Sequence, residues 1–330
     1  MRNGTRARRS SSSELPRAGS ENGGTAARRP RVLVVYKKSA YQTNVKERKN
    51  PRFIELLAKK DTSVTRLVEA HEAHVETLDE ARAALDELGA RASFRFRGDE
   101  GLVEEVDLVA TVGGDGTLLW ASHWVGAGIP IVAINSAPLD SVGHFCAGAK
   151  GRVKETLEAA LAGRLEECRL SRMRLAIDGE EVSKRVLNDV LFTHASPAAT
   201  SRYVLSHVSD GERDTEEHKS SGVWIGPAAG STAAQLSAGG RVLPARSKRL
   251  QWVVREPYVP RTGAYRLVRG LVEPEQRLEI LSKMREGRVF VDGPHHVREV
   301  GMGQVVTLSR SDESLTLLGY PRAADSSSSA

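Results

Sequence analysis

The stretch Asp107-Leu108-Val109-Ala110-Thr111-Val112 runs directly into Gly113-Gly114-Asp115-Gly116-Thr117. Because the first six residues are apolar on both faces, they predict a central strand of a parallel sheet. Glycine fills three of the next four positions, which allows the backbone positive φ and a close approach to a ligand. Residues 118–122 then predict the first turn of a helix.

This turn suits phosphate chemistry. A glycine-rich turn at a helix N-terminus offers free backbone N–H groups and a positive dipole end. The carboxylate of Asp115 would repel a phosphate unless it bound a cation or took a proton from an incoming hydroxyl. The combination therefore indicates phosphoryl transfer to an alcohol. The alternative is a tight turn whose aspartate only caps the helix. Neither a P-loop nor a G-x-G-x-x-G string is present.

Composition bounds the class of protein. The 330 residues, of which 40% are hydrophobic and 27% charged, are sufficient for two globular domains. The net charge of +6 arises entirely in residues 1–31, which hold eight arginines and two glutamates. The remaining chain has no overall basic character, so nucleic acid is not a predicted partner.

Two terminal segments are predicted to be disordered tails, at residues 1–30 and 321–330. The first is rich in Arg and Ser and lacks the apolar core of a secretory signal. No run of 18 apolar residues is present, so no membrane partner is predicted. We expect a cytoplasmic protein; an organellar location is the alternative, because Arg/Ser-rich tails also serve as transit peptides.

The cysteines and a histidine pair carry no metal signal. Cys146 and Cys168 are predicted to be reduced, small hydrophobic residues. The string His71-Glu72-Ala73-His74 misses the H-E-x-x-H spacing by one residue. It predicts a solvated helix face rather than a metal site.

Residues 31–165 alternate between strand and helix patterns and predict a Rossmann-like α/β domain with an open parallel sheet. Ligands in such sheets bind beyond the carboxyl ends of the strands, where Gly113–Thr117 and Asn135–Ser136 fall. The predicted strands are Arg31–Tyr36, Ala92–Phe96, 107–112 and Pro130–Asn135. The predicted helices are 51–75, one from the capping box Thr77–Glu80 to a terminal Gly89, and 151–162.

Residues 166–320 predict an antiparallel β-sandwich, with the alternative that its end packs back on the first domain. The predicted strands are Met173–Ile177, Arg185–His194, Tyr203–Val208, Gly222–Ile225, Leu250–Val254, Leu267–Val268, Gln276–Leu281, Gly287–Val291, Gln304–Leu308 and Ser314–Leu318. Within this half, the segment Gly226–Gly240 is rich in small and hydroxyl residues. Two interpretations stay open: a site for a flat ligand ring, with Ser231 and Thr232 as hydrogen-bond donors, or a tightly packed helix start.

A family resemblance connects these segments. Four motifs occur in a characteristic order and spacing: Gly113–Thr117, Leu187-Asn188-Asp189-Val190, Gly230–Ala233 with Ser237-Ala238-Gly239-Gly240, and Val291-Asp292-Gly293. In this order the chain resembles the NAD kinase family over about residues 30–320. The similarity is nearest to the NADH-kinase branch found in plants.

The resemblance implies an enzyme that transfers the γ-phosphate of ATP to the 2′-hydroxyl of the adenosine ribose of NAD or NADH. It implies ATP as phosphate donor, Mg²⁺ or another divalent cation as cofactor, and NAD(H) as the second small-molecule substrate. Family members are typically homodimers or homotetramers.

The resemblance also implies roles for individual residues. Asp115 acts as the catalytic base or orients the hydroxyl, and Gly113, Gly114, Gly116 and Thr117 bind phosphate. The predicted NAD-binding residues are Asn188, Asp189, Ser231, Thr232, Ala233 and Ser221. Asp292 is a predicted metal ligand, with a plain Asp-Gly hairpin turn as the alternative.

Three departures from the common family pattern affect the dinucleotide site. Ala234 replaces a tyrosine, Ser221 replaces an acidic residue, and Asp189 replaces the commoner glutamate. Two other functions remain as alternatives: a diacylglycerol- or sphingosine-type lipid kinase, which has a similar glycine turn, and a non-catalytic dinucleotide sensor.

Overall fold

The computed structural model describes residues 28–258 and 263–320. The predicted disordered tails therefore lie almost entirely outside the described residues. Residues 28–170 contain six strands, four α-helices, a π-helix at Gln42–Glu47 and a 3-10 helix at Thr62–Val64. The strands are β1 (Arg31–Tyr36), β2 (Arg91–Phe96), β3 (Leu108–Gly113), β4 (Ile131–Asn135), β5 (Gly148–Ala149) and β6 (Glu167–Leu170). The helices are α1 (Pro51–Ala58), α2 (Leu67–Glu87), α3 (Asp115–Ser122) and α4 (Val153–Leu161).

The rest of the chain is mostly strand, with one short helix, α5 (Ala234–Ser237), that follows a 3-10 turn at Ala228–Thr232. The strands are β7 (Met173–Ile177), β8 (Glu180–Val186), β9 (Val190–His194), β10 (Ser201–Ser209), β11 (Glu212–Ser220), β12 (Val223–Pro227), β13 (Leu250–Val254), β14 (Arg269–Val272), β15 (Arg277–Ser282), β16 (Gly287–Val291), β17 (His296–Val300), β18 (Val305–Arg310) and β19 (Leu315–Leu318).

The first sheet has the order β2-β1-β3-β4-β19-β6, and β5 pairs with β4. Its strands are parallel except β6, which is antiparallel to β19. Helices α2 and α4 cover one face, where Leu85 and Leu157 pack against Val34. Leu118 of α3 is buried in the cluster on the other face. Burial of both faces explains why β3 and β4 are continuously apolar, and it confirms the predicted parallel α/β sheet.

Two antiparallel sheets form the sandwich, with the orders β11-β10-β15-β18-β7-β8 and β14-β13-β12-β9-β16-β17. One hydrophobic cluster lies between them and includes Leu175, Phe192, Tyr203 and Ile280. The predicted fold class is therefore confirmed. Strands β6 and β19 belong to the first sheet, although they lie at the start and the end of the predicted second domain, residues 166–320. The division at 165/166 remains a prediction.

Helix α2 differs from the prediction. It runs without a break from Leu67 to Glu87, so Thr77 lies inside it, and the predicted helix start there is wrong. The hydroxyl of Thr77 donates to Ala73 O at 2.7 Å, one helical turn back. The predicted terminal Gly89 is confirmed by its φ of +66°.

The predicted solvated face at His71 and His74 is also wrong, because these side chains are 7% and 3% exposed. His71 Nδ1 lies 2.8 Å from Ser39 Oγ, and His74 Nδ1 lies 2.8 Å from Ser136 Oγ. Both histidines pack α2 against loops that follow β1 and β4. The described residues contain no group of three or more His, Cys, Asp or Glu side chains suited to a metal ion.

The sandwich contains three strands that the sequence did not predict, β11, β14 and β17, and the predicted strand Leu267–Val268 is absent. The predicted strand Arg185–His194 is divided into β8 and β9 by residues 187–189. This break places Asn188 and Asp189 in a loop between strands. In the described part of the chain, no helix has the length and apolar character needed to cross a membrane.

The start of β12 provides a test of the fold. Gly222 has φ +113°, and a Cβ there would lie 2.4 Å from Phe192 O. We expect Gly222→Ala to lower the free energy of unfolding by about 2–4 kcal/mol, through backbone strain and a clash with fixed backbone. Urea unfolding measures this. The control is Gly128→Ala, where a Cβ meets no atom within 4 Å. A loss equal to that of the control would contradict the described backbone.

Candidate functional site

The glycine turn follows β3, whose six residues are all buried, and Gly114 caps the start of α3. The predicted use of positive φ is wrong, because the residues with positive φ do not include Gly113, Gly114 or Gly116. Lack of a side chain matters instead. A Cβ on Gly113 would lie 2.1 Å from Thr117 Oγ1, and one on Gly114 would lie 2.4 Å from Ser141 Oγ. Small size therefore lets the turn fold against its own neighbours.

The carboxylate of Asp115, the first residue of α3, is held by backbone. Its Oδ2 accepts a hydrogen bond from His144 N at 2.9 Å, and its Oδ1 accepts one from Phe145 N at 2.9 Å. A carboxylate has about four acceptor positions, so two remain available. The group is half-buried and fixed in direction. It is thus able to accept a hydrogen bond from a hydroxyl group at a defined place.

The side chain of His144 connects the turn to the second half of the chain. Its Nε2 lies 2.8 Å from Tyr320 Oη and 3.4 Å from Thr232 Oγ1. Thr232 belongs to the predicted glycine- and hydroxyl-rich segment. The structure therefore brings Asp115 and Thr232 together through one residue. Sequence reasoning missed His144, because it belongs to no motif and lies in a loop beyond β4.

Asp292 holds the loop between β8 and β9. Its buried carboxylate accepts hydrogen bonds from the backbone N–H groups of Leu187 (2.9 Å), Asn188 (2.6 Å) and Asp189 (3.0 Å). Its Oδ2 also lies 3.0 Å from His123 Nε2, at the end of α3. Because the side chain of Asp292 is 1% exposed and three N–H groups and His123 surround its oxygens, it does not fit the predicted metal role. It lies in the hairpin turn between β16 and β17, which is the alternative stated above.

The carbonyl of Asn188 explains two glycines in the segment Gly226–Gly240. A Cβ on Gly230 would lie 1.7 Å from Asn188 O, and one on Gly226 would lie 2.3 Å from the same atom. The close approach is therefore to the protein's own backbone. It fixes the 187–189 loop against the turn that carries Thr232.

The surroundings of Asp189 disfavour the charged form of its carboxyl group. It is 4% exposed, and Asn188 Nδ2 donates to its Oδ2 at 3.3 Å. Burial, and then the charge of Asp292, raise the pKa of Asp189 to about 7. A ligand hydroxyl that donates to Asp189 would stabilise its ionised form.

Other predicted site residues are placed differently. Ser231 is fully buried; its hydroxyl donates to Ala228 O at 2.6 Å and accepts from Leu243 N at 2.9 Å, so it is not free to donate to a ligand. The predicted ligand contact of Ser231 is therefore not supported. Thr117 is 1% exposed, and its hydroxyl has no hydrogen-bond partner among the described residues. Its side chain packs under the turn rather than facing outward.

The remaining predicted dinucleotide residues, Ser221 and Ala233, lie before and after β12 in the sequence. Ala233 is half-buried and follows Thr232 directly in the sequence. Ser221 precedes β12, five positions before Gly226, which is roughly 16 Å along a strand. Ala234 lines a cavity of about 520 Å³ together with Trp224 and Arg255.

The raised pKa of Asp189 predicts a pH dependence of stability. Between pH of about 4 and about 7 the folded protein holds a proton that the unfolded chain has lost, so the free energy of unfolding falls as pH rises. We expect wild type to lose roughly 2–3 kcal/mol more than Asp189→Asn between pH 5 and pH 8. Urea unfolding at both pH values measures this. An equal loss in the two proteins would contradict the buried position of Asp189.

Comparison with known proteins identifies the family. Residues 32–165 match the ATP-NAD kinase N-terminal domain. The chain is 36% identical over 224 residues to a protein named probable NADH kinase from Oryza sativa subsp. japonica, a match that spans 63% of this chain and 69% of that relative. It is 35% identical over 225 residues to the NADH kinase of Arabidopsis thaliana, spanning 63% of this chain and 71% of the relative.

Two solved structures share the fold. An NAD kinase from Archaeoglobus fulgidus in complex with ATP superposes with a TM-score of 0.58 at 21% identity, covering 87% of this chain and 92% of that one. Yeast NADH kinase complexed with NADH superposes with a TM-score of 0.61 at 16% identity, covering 88% and 84%. Together with the plant relatives, the ordered motifs place the chain in the ATP-NAD kinase family, on its NADH-kinase branch.

Proposed function

We propose that this chain is an NAD(H) kinase, which transfers the γ-phosphate of ATP to the 2′-hydroxyl of the adenosine ribose of NAD or NADH. The names of the plant relatives and the ligands of the two solved structures support this function. The observation that carries it within this chain is the connection from Asp115 through His144 to Thr232. It joins a phosphate-type turn to the segment proposed for the dinucleotide.

Asp115 is the proposed base. The 2′-hydroxyl donates a hydrogen bond to a free acceptor position of its carboxylate, and the hydroxyl oxygen attacks the γ-phosphorus. A new O–P bond forms as the bond to ADP breaks, and the hydroxyl proton passes to Asp115. A positioned base typically contributes about 10²- to 10⁴-fold to the rate. The backbone N–H groups of Gly114 and Gly116 bind the phosphate oxygens.

The 187–189 loop and Thr232 form the proposed dinucleotide site. Asn188 binds the adenosine, and Thr232 and Ala233 line the adenine ring. Asp189 accepts hydrogen bonds from ribose hydroxyls, which favour its ionised form and offset the cost of burying it. Binding of the dinucleotide therefore completes the partners of an acid that is otherwise poorly satisfied.

A divalent cation enters with the nucleotide. Mg²⁺ usually keeps several waters and is held by substrate phosphates with one or two carboxylates. Binding of the cation mainly by substrate phosphates fits this site, because Asp292 accepts hydrogen bonds from backbone N–H groups and the described residues contain no group of side chains suited to a metal ion. We therefore propose MgATP as the donor substrate.

We also propose that the protein is a homodimer or homotetramer. The resemblance to the NAD kinase family, whose members are typically dimers or tetramers, supports this assembly. Light scattering coupled to size-exclusion chromatography tests this directly. The lipid-kinase and sensor alternatives have no support among the relatives, which are named as NAD or NADH kinases.

The function is tested with purified full-length protein, ATP and Mg²⁺, with NAD or NADH supplied at matched concentrations. An NADP(H)-specific dehydrogenase reports the product. We expect NADP from NAD or NADPH from NADH, and the ratio of the two kcat/KM values gives the preferred acceptor. Folded protein that forms neither product would contradict the proposal.

The role of Asp115 gives a second test. Asp115→Asn keeps the size of the side chain and removes its basicity, so kcat is expected to fall by about 10²- to 10⁴-fold while dinucleotide binding changes little. The control is Asp79→Asn, a surface carboxylate on α2 that pairs with Arg82. A loss of less than about tenfold in Asp115→Asn would show that another group accepts the proton.

A further inference from the structure

We propose that Lys37 and Arg97 bind the phosphate chain of the donor nucleotide, as a pair of cations beside the glycine turn. This inference rests on the proposed function, since it names the residues that hold the donor. The two residues belong to no motif. They become neighbours only through the order of strands in the first sheet.

Sheet topology places the pair at the phosphate turn. β1 lies between β2 and β3, and Tyr36, its last residue, pairs with Phe96 on one side and Val112 on the other. The next residues along the three strands are Lys37, Arg97 and Gly113, and Arg97 N donates to Tyr36 O at 2.8 Å. Neighbouring strands are about 4.8 Å apart. All three residues therefore lie at the carboxyl edge of the sheet, where ligands of such sheets bind.

The side chain of Arg97 reaches toward the start of α3. Its Nη1 lies 3.8 Å from the position that a Cβ on Gly116 would occupy. Gly116 is exposed, so the space between this guanidinium and the first turn of α3 is open on the solvent side. An anion at the free N–H groups of that turn is within the range of the guanidinium.

Neither cation forms a salt bridge among the described residues. Among the described residues, no carboxylate lies within 4.0 Å of either charged group, and neither side chain makes a hydrogen bond. Two nearby basic residues are paired: Lys38 lies 3.0 Å from Glu47, and Arg66 lies 3.0 Å from Asp140. Lys37 and Arg97 differ from these two neighbours in forming no salt bridge among the described residues.

Burial makes this arrangement costly. Both side chains are half-buried, and burial lowers the pKa of each. The charge of Arg97 lowers the pKa of Lys37 further, and Asp140 opposes it from the loop after β4. Two like charges held close together without a salt bridge destabilise the folded protein. A bound anion removes that cost.

The chemistry favours a chain of phosphates over a single anion. Two cations on adjacent strands and the N–H groups of the turn are separate donors in a row, and consecutive phosphates supply oxygens to all of them. Guanidinium groups pair well with phosphate oxygens in a bidentate manner. The terminal phosphate would lie at the turn beside Asp115, with the others over Arg97 and Lys37. Inorganic polyphosphate has the same chemistry, so the test includes it.

The experiment measures binding by calorimetry in the absence of NAD(H), with ATP, ADP, AMP and inorganic tripolyphosphate as probes. We expect Lys37→Gln and Arg97→Gln each to raise the Kd of ATP by about tenfold or more, with a smaller effect on ADP and none on AMP. Lys37→Arg is expected to recover most of the affinity. The control is Lys38→Gln, which removes a neighbouring lysine that is already paired, and it should leave the Kd of ATP unchanged.

A structural role would give a different result. Removal of an unpaired cation should leave the Tm of the ligand-free protein unchanged or raise it, whereas loss of a structural contact would lower it. Equal weakening of AMP and ATP, or an unchanged Kd of ATP in both variants, would overturn the proposal. Tripolyphosphate binding that both substitutions weaken supports recognition of the phosphates alone; binding of ATP but not tripolyphosphate supports recognition of the nucleotide.

The two proposals fail separately. If wild type forms no NADP(H) but the substitutions still weaken ATP binding, the kinase function fails and the phosphate site stands. If NADP(H) forms and the variants keep the wild-type KM for ATP, the phosphate site fails and the function stands.

Discussion

The buried carboxylate of Asp292 is the interaction on which the shape of the site depends. It satisfies three successive backbone N–H groups of the 187–189 loop and lies beside His123 at the end of α3. A buried N–H group left without a partner costs about 1–3 kcal/mol, so no neutral side chain replaces this carboxylate without cost. Burial, and then the charge of Asp292, raise the pKa of Asp189. Asp292 thus affects both the position of the loop and the acidity of Asp189 in the proposed dinucleotide site.

Much of the fold was predictable because its strongest signals are local. β3 and β4 are apolar on both faces, and this pattern has one simple explanation in a parallel sheet. β11 was missed because its sequence Glu212–Ser220 is largely polar and lies at a sheet edge. The burial of His71 and His74 was missed for a different reason. Their partners, Ser39 and Ser136, are distant in sequence. The pattern of residues along the helix does not indicate that these two histidines contact them.

The site was predictable in its motifs and less so in its contacts. Asp115 was found because a carboxylate among glycines would repel a phosphate unless it bound a cation or took a proton from a hydroxyl. The segment around Gly230 was found by composition, but its glycines make room for Asn188 O rather than for a ligand. The hydroxyl of Ser231 proved to be occupied by backbone partners. His144, Lys37 and Arg97 lie in loops and belong to no motif, so only strand order and tertiary packing bring them to the turn.

The central claim is that the carboxylate of Asp115 directs a phosphate to one hydroxyl of the dinucleotide. Phosphorus NMR of the product formed from ATP and NADH tests this most directly, because it reports which hydroxyl has been esterified. The account predicts one new phosphate monoester, on the 2′-hydroxyl of the adenosine ribose, and the release of ADP. A phosphate on another hydroxyl, or hydrolysis of ATP with no new ester, would contradict it.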